Sequence, residues 1–332
     1  MKTFIIAEIG QAHDGSLGQA HSFIDALKDT GVDAVKFQTH IAEAESSLLE
    51  PFRVKFSYQD KTRFDYWKRM EFSAEQWSGL KEHCDEAGLE FMSSPFSIAA
   101  VELLEKIGVS RYKIGSGEVE NFLILDRIAK TKKNIILSSG LSTYDELEKT
   151  INFLKPYGNE LSLLQCTTKY PTHASDIGLN NISELKRRFN LPVGLSDHSG
   201  TIYPSIAAVA LGAEILEFHT IFDKKQFGPD SSSSLEIEQV TELVKGVRFI
   251  EEAINNPVLK DVMLQEDVKN IFGKTLALNK DKKKGDTIRI DDLEAKKPAG
   301  QGVAASAYEV VIGKKISRDK KKWEFLTDDD VL

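Results

Sequence analysis

The chain has 332 residues, 41% hydrophobic and 28% charged, and 43 Lys plus Arg against 51 Asp plus Glu leave a net charge of −8. At roughly 150 residues per domain that length predicts two domains, or one large α/β barrel with an appendage, which excludes a single small module; the composition excludes disorder and collagen-like repetition. A negative field repels phosphate backbones, so nucleic acid is not an expected partner, and an anionic substrate must be met by local positive groups.

The N-terminal MKTFIIAEIG has an apolar stretch of a few residues cut by Glu8, which is neither a signal h-region nor a membrane span. Cys84 and Cys166 are too few for a disulfide framework and read as free thiols in a reducing, cytoplasmic compartment. Short β-branched apolar runs then alternate with segments whose apolar residues recur every three or four positions, the pattern of βα units around a parallel sheet. Strands are predicted at 4–9, 34–39, 89–96, 111–115, 134–139, 161–168, 193–198 and 215–222. Helices are predicted at 19–30, 74–87, 98–107, 122–130, 144–157, 182–189, 203–211 and 236–254. Eight such pairs in about 250 residues make a (β/α)8 TIM barrel, here residues 1–256. A doubly wound sheet would need fewer strands and a glycine fingerprint after the first, which is absent.

One connection is too long: residues 41–72 separate the second strand from its helix and carry Arg53, Lys55, Tyr58, Arg63, Tyr66, Trp67, Lys68 and Arg69. Such a loop is a lid, a binding loop or an interface arm, or else a solvated insertion with its aromatics packed on the barrel. Residues 231–234 read as a short mobile loop. Residues 257–270 read as a linker passing into helix, and 271–332 as strand-like pieces (274–278, 287–290, 295–297) among Gly285, Pro298, Gly300, Gly302 and Gly313. That predicts a β-rich domain of about sixty residues, small enough to lean on a partner surface. The lysine runs 282–284 and 320–322 are expected in solvated turns.

A barrel of this kind builds its active site at the C-terminal ends of its strands. Polar residues stand there in every strand: Glu8, then His13; Lys36 and Gln38; Ser93 and Ser94; Lys113, Ser116 and Glu118; Ser138 and Ser139; Thr167, Thr168 and Tyr170; Ser196, Asp197 and His198; Glu217 and His219. Singly, His198 and His219 would each pass for a hydrogen-bonded core histidine. As a pair on neighbouring strand ends they suit one metal ion with positions left for water and substrate, with Asp197 expected to orient an imidazole. The stretches KIGSGE and SSG combine an ammonium, hydroxyls and glycine-exposed N–H groups, which is what an oxyanion such as phosphate requires, although GxxxxGK[ST] is absent. An inward Lys113 must meet an anion or pair with Glu118 or Glu8.

AEIGQAHDG, DAVKFQTH, FMSSPFS, YKIGSGE, ILSSG, CTTKYPT, GLSDHSG, ALGAEILEFH and GPD, in this order, resemble the strand-end motifs of the sialic acid synthase family. KKGDTI, KKPAGQG and VIGKKI in 271–332 are similar to the antifreeze-like (SAF, β-clip) domain of those enzymes, so the resemblance spans essentially the whole chain. It implies condensation of phosphoenolpyruvate with N-acetylmannosamine or a related 2-acylamino hexose, giving a nine-carbon 2-keto acid and phosphate. It further implies a divalent metal, manganese or magnesium, no organic cofactor and a domain-swapped homodimer. Carried over by position, His198 and His219 become the metal ligands, and Lys113, Ser116, Ser138 and Ser94 go to phosphoenolpyruvate, with Ser196 and Thr168 near its carboxylate. Glu8, Gln38, Tyr170 and Asp230 meet the sugar hydroxyls, and Glu118 stands near the water that attacks C2. Three positions depart from the family pattern: Ala12 and Thr168 where asparagine is expected, and Lys297 where an arginine reaches the N-acyl group. The rival readings are a related synthase for a phosphorylated sugar, which needs a second phosphate pocket, usually with arginines, and a non-catalytic sugar-binding or ice-binding protein.

Overall fold

The computed structural model describes residues 2–258, 260 and 265–332, and the chain divides into two units, Met1–Asn256 and Pro257–Leu332. In the first, β1 (Phe4–Gly10), β2 (Ala34–Thr39), β3 (Glu90–Pro95), β4 (Arg111–Ile114), β5 (Asn134–Ser138), β6 (Leu161–Cys166), β7 (Val193–Asp197) and β8 (Ile215–Ile221) pair in parallel in chain order. β1 also pairs with β8, closing a (β/α)8 barrel. The strands match the sequence expectation within two residues at either end. A two-residue strand, β9 (Leu235–Glu236), extends the β8 edge.

Successive side chains of a strand point to opposite faces, and both faces of a barrel strand are buried. On the outer face, Ile5, Ala7 and Ile9 of β1 join the large apolar cluster that includes the helix residues Phe23, Ile24 and Leu27. On the inner face, Ile6, Ala34, Met92, Ile136, Leu164 and Ile215 pack as one apolar layer. Two residues further along the same strands stand Glu8, Lys36, Ser94, Ser138, Cys166 and Glu217, all buried. The barrel interior therefore changes from apolar to polar toward the C-terminal strand ends. β7 and β8 approach closely enough that a Cβ on Gly194 would lie 2.0 Å from the Ile215 carbonyl oxygen. Ser16, Ser73, Ser97, Asn121 and Thr143 each cap a following helix by accepting a backbone N–H, worth about 1 kcal/mol apiece.

Residues 41–72 are no featureless loop: they form short helices at Ala42–Glu45 and Arg63–Met70. Tyr66, Trp67 and Met70, with Phe52, Phe56 and Phe64, make an apolar cluster of the insertion's own. Residues 231–234 are ordered too, contrary to expectation. Ser231–Ser233 is a 3-10 turn, Ser233 and Ser234 are buried, and Ser234 Oγ donates to the Asp230 carbonyl at 2.8 Å.

In the second unit, β10 (Thr275–Leu278) and β11 (Leu293–Lys296) pair antiparallel over a small core of Leu276, Leu278, Ile288, Val303, Val311, Ile316 and Leu326. The expected strand at 287–290 reduces to a single bridge from Thr287 to Lys315, after which Ile290–Asp292 turns as a 3-10 helix. The Asp292 carboxylate enforces that turn by accepting the Arg289 N–H at 3.0 Å. Of the expected linker, residues 259 and 261–264 lie outside the described residues, and the helix Glu266–Phe272 runs through its end. The lysine runs divide: Lys283 and Lys321 are solvated, whereas Lys282 and Lys320 turn inward to Asp292 and Asp330 at 2.5 and 2.6 Å. Among the described residues no helix is long and apolar enough to cross a membrane.

Candidate active site

A cavity of about 380 Å³ opens among the C-terminal strand ends, and every barrel residue singled out above for metal or substrate lines it. Its floor is a buried ionic quartet. Lys36 Nζ lies 2.7 Å from Glu8 Oε1 and 4.0 Å from Glu217 Oε2, while Lys113 Nζ lies 2.7 Å from Glu217 Oε1. Burial pushes both carboxyls upward, but Lys36, His219 and Lys113 hold Glu8 far below the usual range, and Lys113 with Lys36 lowers Glu217. Burial pulls the Lys113 ammonium down, and Glu217 and Glu8 more than restore it. Glu8, Glu217 and Lys113 are thus held in their charged forms. The expected partners of Lys113 were Glu118 or Glu8, and its hydrogen bond goes to Glu217. Glu118 lies beyond the strand, in the turn Ser116–Glu118, where its carboxylate accepts from Asn121 Nδ2 at 2.7 Å. Burial raises the Glu118 pKa.

Hydroxyls ring one side of Lys113. Ser116 Oγ donates to Ser138 Oγ at 3.1 Å, Ser196 Oγ donates to Glu217 Oε1 at 3.1 Å, and Ser94 Oγ accepts from Lys36 at 3.2 Å. Thr168 Oγ1 and Glu217 Oε2 are buried with no hydrogen-bond partner. A Cβ on Gly140 would lie 2.4 Å from Thr168 Oγ1, 2.7 Å from Ser116 Oγ and 2.9 Å from Cys166 Sγ, so a glycine there keeps this polar recess open. The orphaned Thr168 hydroxyl, with Lys113 and the serines, can donate to an entering oxyanion, whereas the orphaned Glu217 Oε2 can only accept and suits a donor.

The imidazoles of His198 and His219 stand 5.3 Å apart between ring centroids. His198 Nδ1 lies 3.1 Å from the Thr167 carbonyl, an oxygen that can only accept, which puts a proton on Nδ1 and turns Nε2 to the cavity as the ligating nitrogen; burial pulls the His198 pKa down, but Cys166 and that carbonyl more than restore it. Burial keeps His219 below its ordinary pKa and therefore neutral. Two imidazoles on one cavity wall, His198 giving up its proton at the ligating nitrogen, fit a divalent ion whose remaining positions go to water and substrate. Among the described residues no group of three or more His, Cys, Asp and Glu is arranged to hold a metal. Asp197 does not orient the imidazole as expected: it accepts from Ser199 N and Oγ at 3.1 and 2.8 Å, and the Thr167 carbonyl takes that role. Cys166, read from sequence only as a free thiol, lies 3.9 Å from His198 Nδ1; burial pushes the thiol up, but His198 draws it down to about 7.

On the outer wall, Gln38 Nε2 donates to Glu8 Oε1 at 2.7 Å, and the Tyr170 ring lies 4.2 Å from His198. Asp230 pairs with Arg53 of the 41–72 insertion at 2.6 Å, and Arg63, Trp67, Glu45 and Glu50 of the same insertion complete the wall. Lys297 belongs to the second unit, where it is exposed with Nζ 4.7 Å from the Phe272 ring centroid. Sequence reasoning noted Lys36 and Glu217 as strand-end residues without giving them a role. Their signal was present: each stands two residues before another site residue, Gln38 or His219, on the same inward face. Nothing in the sequence marks which cations of a 32-residue insertion (41–72) turn inward.

Residues 23–258 match the NeuB family profile. The N,N'-diacetyllegionaminic acid synthase of Campylobacter jejuni is 35% identical over 98% of this chain and 99% of its own length. The pseudaminic acid synthase of the same species is 37% identical over 99% of this chain and 96% of its own. Among solved structures, the N-acetylneuraminic acid synthetase of Leptospira borgpetersenii superposes with a TM-score of 0.72 at 30% identity, covering 81% of this chain and 91% of that one.

Proposed function

The chain belongs to the NeuB family and is an enzyme of the transferase class, and from that premise we propose that it condenses phosphoenolpyruvate with a 2-acylamino hexose, N-acetylmannosamine or a diacetamido analogue, to a nonulosonate and phosphate. The observation that carries the reading is that Lys113, four serine hydroxyls and two imidazoles line one cavity. The products named in the three relatives differ, so the acyl pattern of the sugar stays open within this class. Both arginines of the wall already face carboxylates, Arg53 with Asp230 at 2.6 Å and Arg63 with Glu50 at 3.5 Å, which supports an uncharged sugar over a phosphorylated one.

Lys113, Ser116, Ser138 and Ser94 hold phosphoenolpyruvate, with Ser196 and Thr168 at its carboxylate. Glu8, Gln38, Tyr170 and Asp230 orient the open-chain sugar so that its aldehyde carbon faces C3 of phosphoenolpyruvate. His198 and His219 would hold a divalent ion, manganese or magnesium, which when bound supplies Lewis acidity to the aldehyde. C3 attacks the aldehyde carbon, the carbonyl oxygen takes a proton, and positive charge develops at C2. Glu118, its pKa raised by burial, is suited to take a proton from the water that adds there. The tetrahedral intermediate then loses phosphate by C–O cleavage, and Lys113 and the serine hydroxyls stabilise the departing oxyanion.

The C-terminal unit is an antifreeze-like domain in this proposal, donated across a domain-swapped homodimer so that Lys297 of the partner subunit meets the acyl group. A reducing cytoplasm suits the two free thiols Cys84 and Cys166. The test is phosphate release from phosphoenolpyruvate against a panel of acylamino hexoses, with mass spectrometry of the product. Release with no sugar of the panel, or only with 6-phosphorylated sugars, overturns the assignment.

A further inference from the structure

We propose that Arg53, in the insertion between the second strand and its helix, is a positioning residue that sets sugar affinity by pinning the Asp230 carboxylate and covering the Tyr170 ring. The inference rests on the reading of Asp230 and Tyr170 as sugar contacts. Arg53 Nη2 donates to Asp230 Oδ1 at 2.6 Å and to the Pro229 carbonyl at 3.4 Å. Its Cζ sits 3.9 Å from the Tyr170 ring centroid. One guanidinium therefore joins three βα loops, those after β2, β6 and β8, across 177 residues of chain.

Two features make this more than a surface ion pair. First, among the described residues Arg53 is the one hydrogen-bond donor to the Asp230 carboxylate, whose side chain is 13% exposed. The rest of that turn is fixed through backbone atoms, with the Asp230 carbonyl accepting from Ser233 N and Ser234 Oγ. Without Arg53 the Asp230 carboxylate and the Pro229 carbonyl both lose this partner, so the turn keeps its internal bonds but loses its tie to the insertion and opens more readily. Second, among the described residues no other cation hydrogen-bonds to Asp230, and the nearby Arg63 acts on it only through its charge. Arg63 lies 4.0 Å over Trp67 inside the insertion's own cluster, and Lys55 is exposed. A guanidinium can donate from Nη2 to a carboxylate and a carbonyl while its Cζ stays over a phenol ring, a combination an ammonium does not offer.

The experiment compares Arg53→Ala, Arg53→Lys and Lys55→Ala in the full chain by phosphate release with each substrate varied in turn. Arg53→Ala should raise the sugar KM about tenfold, the scale of one ion pair plus one cation–π contact, and leave kcat and the phosphoenolpyruvate KM within about twofold. Arg53→Lys should recover part of the loss, since an ammonium reaches Asp230 but cannot stack. Lys55→Ala should move neither KM. In an Asp230→Asn background, Arg53→Ala should add little further change. Amide hydrogen exchange over 227–234 reads the pin without turnover and should quicken in Arg53→Ala alone. Equal shifts in both KM values, a Lys55→Ala effect as large as that of Arg53→Ala, or unchanged exchange would each overturn the proposal. A parent enzyme that releases phosphate with no sugar defeats the proposed reaction instead, and the exchange result still decides the pin.

Discussion

Carboxylates are buried against lysines in two places, and the two sites end differently. In the barrel, Glu8 and Glu217 face Lys36 and Lys113 with the Glu217 Oε2 atom left without a hydrogen bond beside an open cavity. In the second unit both oxygens of each buried aspartate, Asp292 and Asp330, are taken. Asp292 meets Lys280, Lys282 and the Arg289 N–H, and Asp330 meets Arg318, Lys320 and both donors of Thr327. Desolvating a charge is costly, and attraction to a partner offsets it only when the remaining lone pairs are also satisfied. A saturated cluster fixes two loops of a small domain. An unsaturated one beside a cavity retains acceptors and donors for something that enters.

Substitutions on the unsaturated side should therefore show in turnover, and the largest effect is expected at the imidazoles. Removal of divalent metal by chelator should abolish activity, with recovery on adding manganese or magnesium, and His198→Ala and His219→Ala should each be inactive at any metal concentration tested. Near-normal turnover of either variant in chelated buffer would remove the metal from the scheme. Next in size, Lys113→Ala should lower kcat/KM for phosphoenolpyruvate by on the order of 10³ with a much smaller change in the sugar KM. Glu217 keeps Lys36 at 4.0 Å and Ser196 at 3.1 Å, so the variant should fold. A matching rise in both KM values would make Lys113 a structural lysine.

On the saturated side the effect should show in stability. Asp330→Ala leaves Lys320, which is 6% exposed, with the Phe325 carbonyl at 2.7 Å and Glu324 at 3.9 Å, and should cost the second unit about 3 kcal/mol, read by hydrogen exchange over 275–331. Unchanged protection would show that the cluster is ornamental. Asp292 gives a smaller, pH-dependent version of the same test. Burial pushes its carboxyl up, but Lys280 and Lys282 hold it at about 2. A folded pKa below the unfolded value means a contribution present above pH about 4 and lost as pH falls toward 2, roughly 2 kcal/mol in all. Asp292→Asn should flatten the stability of the second unit across that window, and an identical acid profile in parent and variant would dismiss the pairing.

The same contrast explains what the sequence made legible. Eight strands could be placed because each is a short run buried on both faces, largely apolar at its start, and the cavity residues because their polarity interrupts that run at its C-terminal end. Asp230, well past the end of β8, depended on the family resemblance, which also gave a role to Glu118, already in view at the end of β4. Arg53 was out of reach, since a loop cation that folds back looks like one that points to water. Lys282 and Lys320 misled for the mirror-image reason: each opens a run of three lysines, and only the tertiary fold selects the first for burial beside a carboxylate.

The smallest expected effect concerns Lys297, which joins the two regions only if the proposed swap holds. It is exposed in its own unit, with the Phe272 ring as its contact, so its substitution should leave the saturated clusters and the stability of that unit unchanged. Arginine at this position would present a rigid planar fork in place of one mobile ammonium, which makes a contact with an amide oxygen more directional. Lys297→Arg should therefore change the ratio of kcat/KM values between differently N-acylated sugars by a few-fold, the scale of one reoriented hydrogen bond, while the phosphoenolpyruvate KM stays put. Removing 271–332 gives the complementary arm: if the barrel alone keeps full activity and the parent's sugar ratios, the second unit supplies nothing to the cavity. A Lys297→Arg enzyme with the parent's ratios across the whole panel would likewise confine Lys297 to the surface of its own domain, and the sugar subsite would then have to be completed by the 41–72 insertion alone.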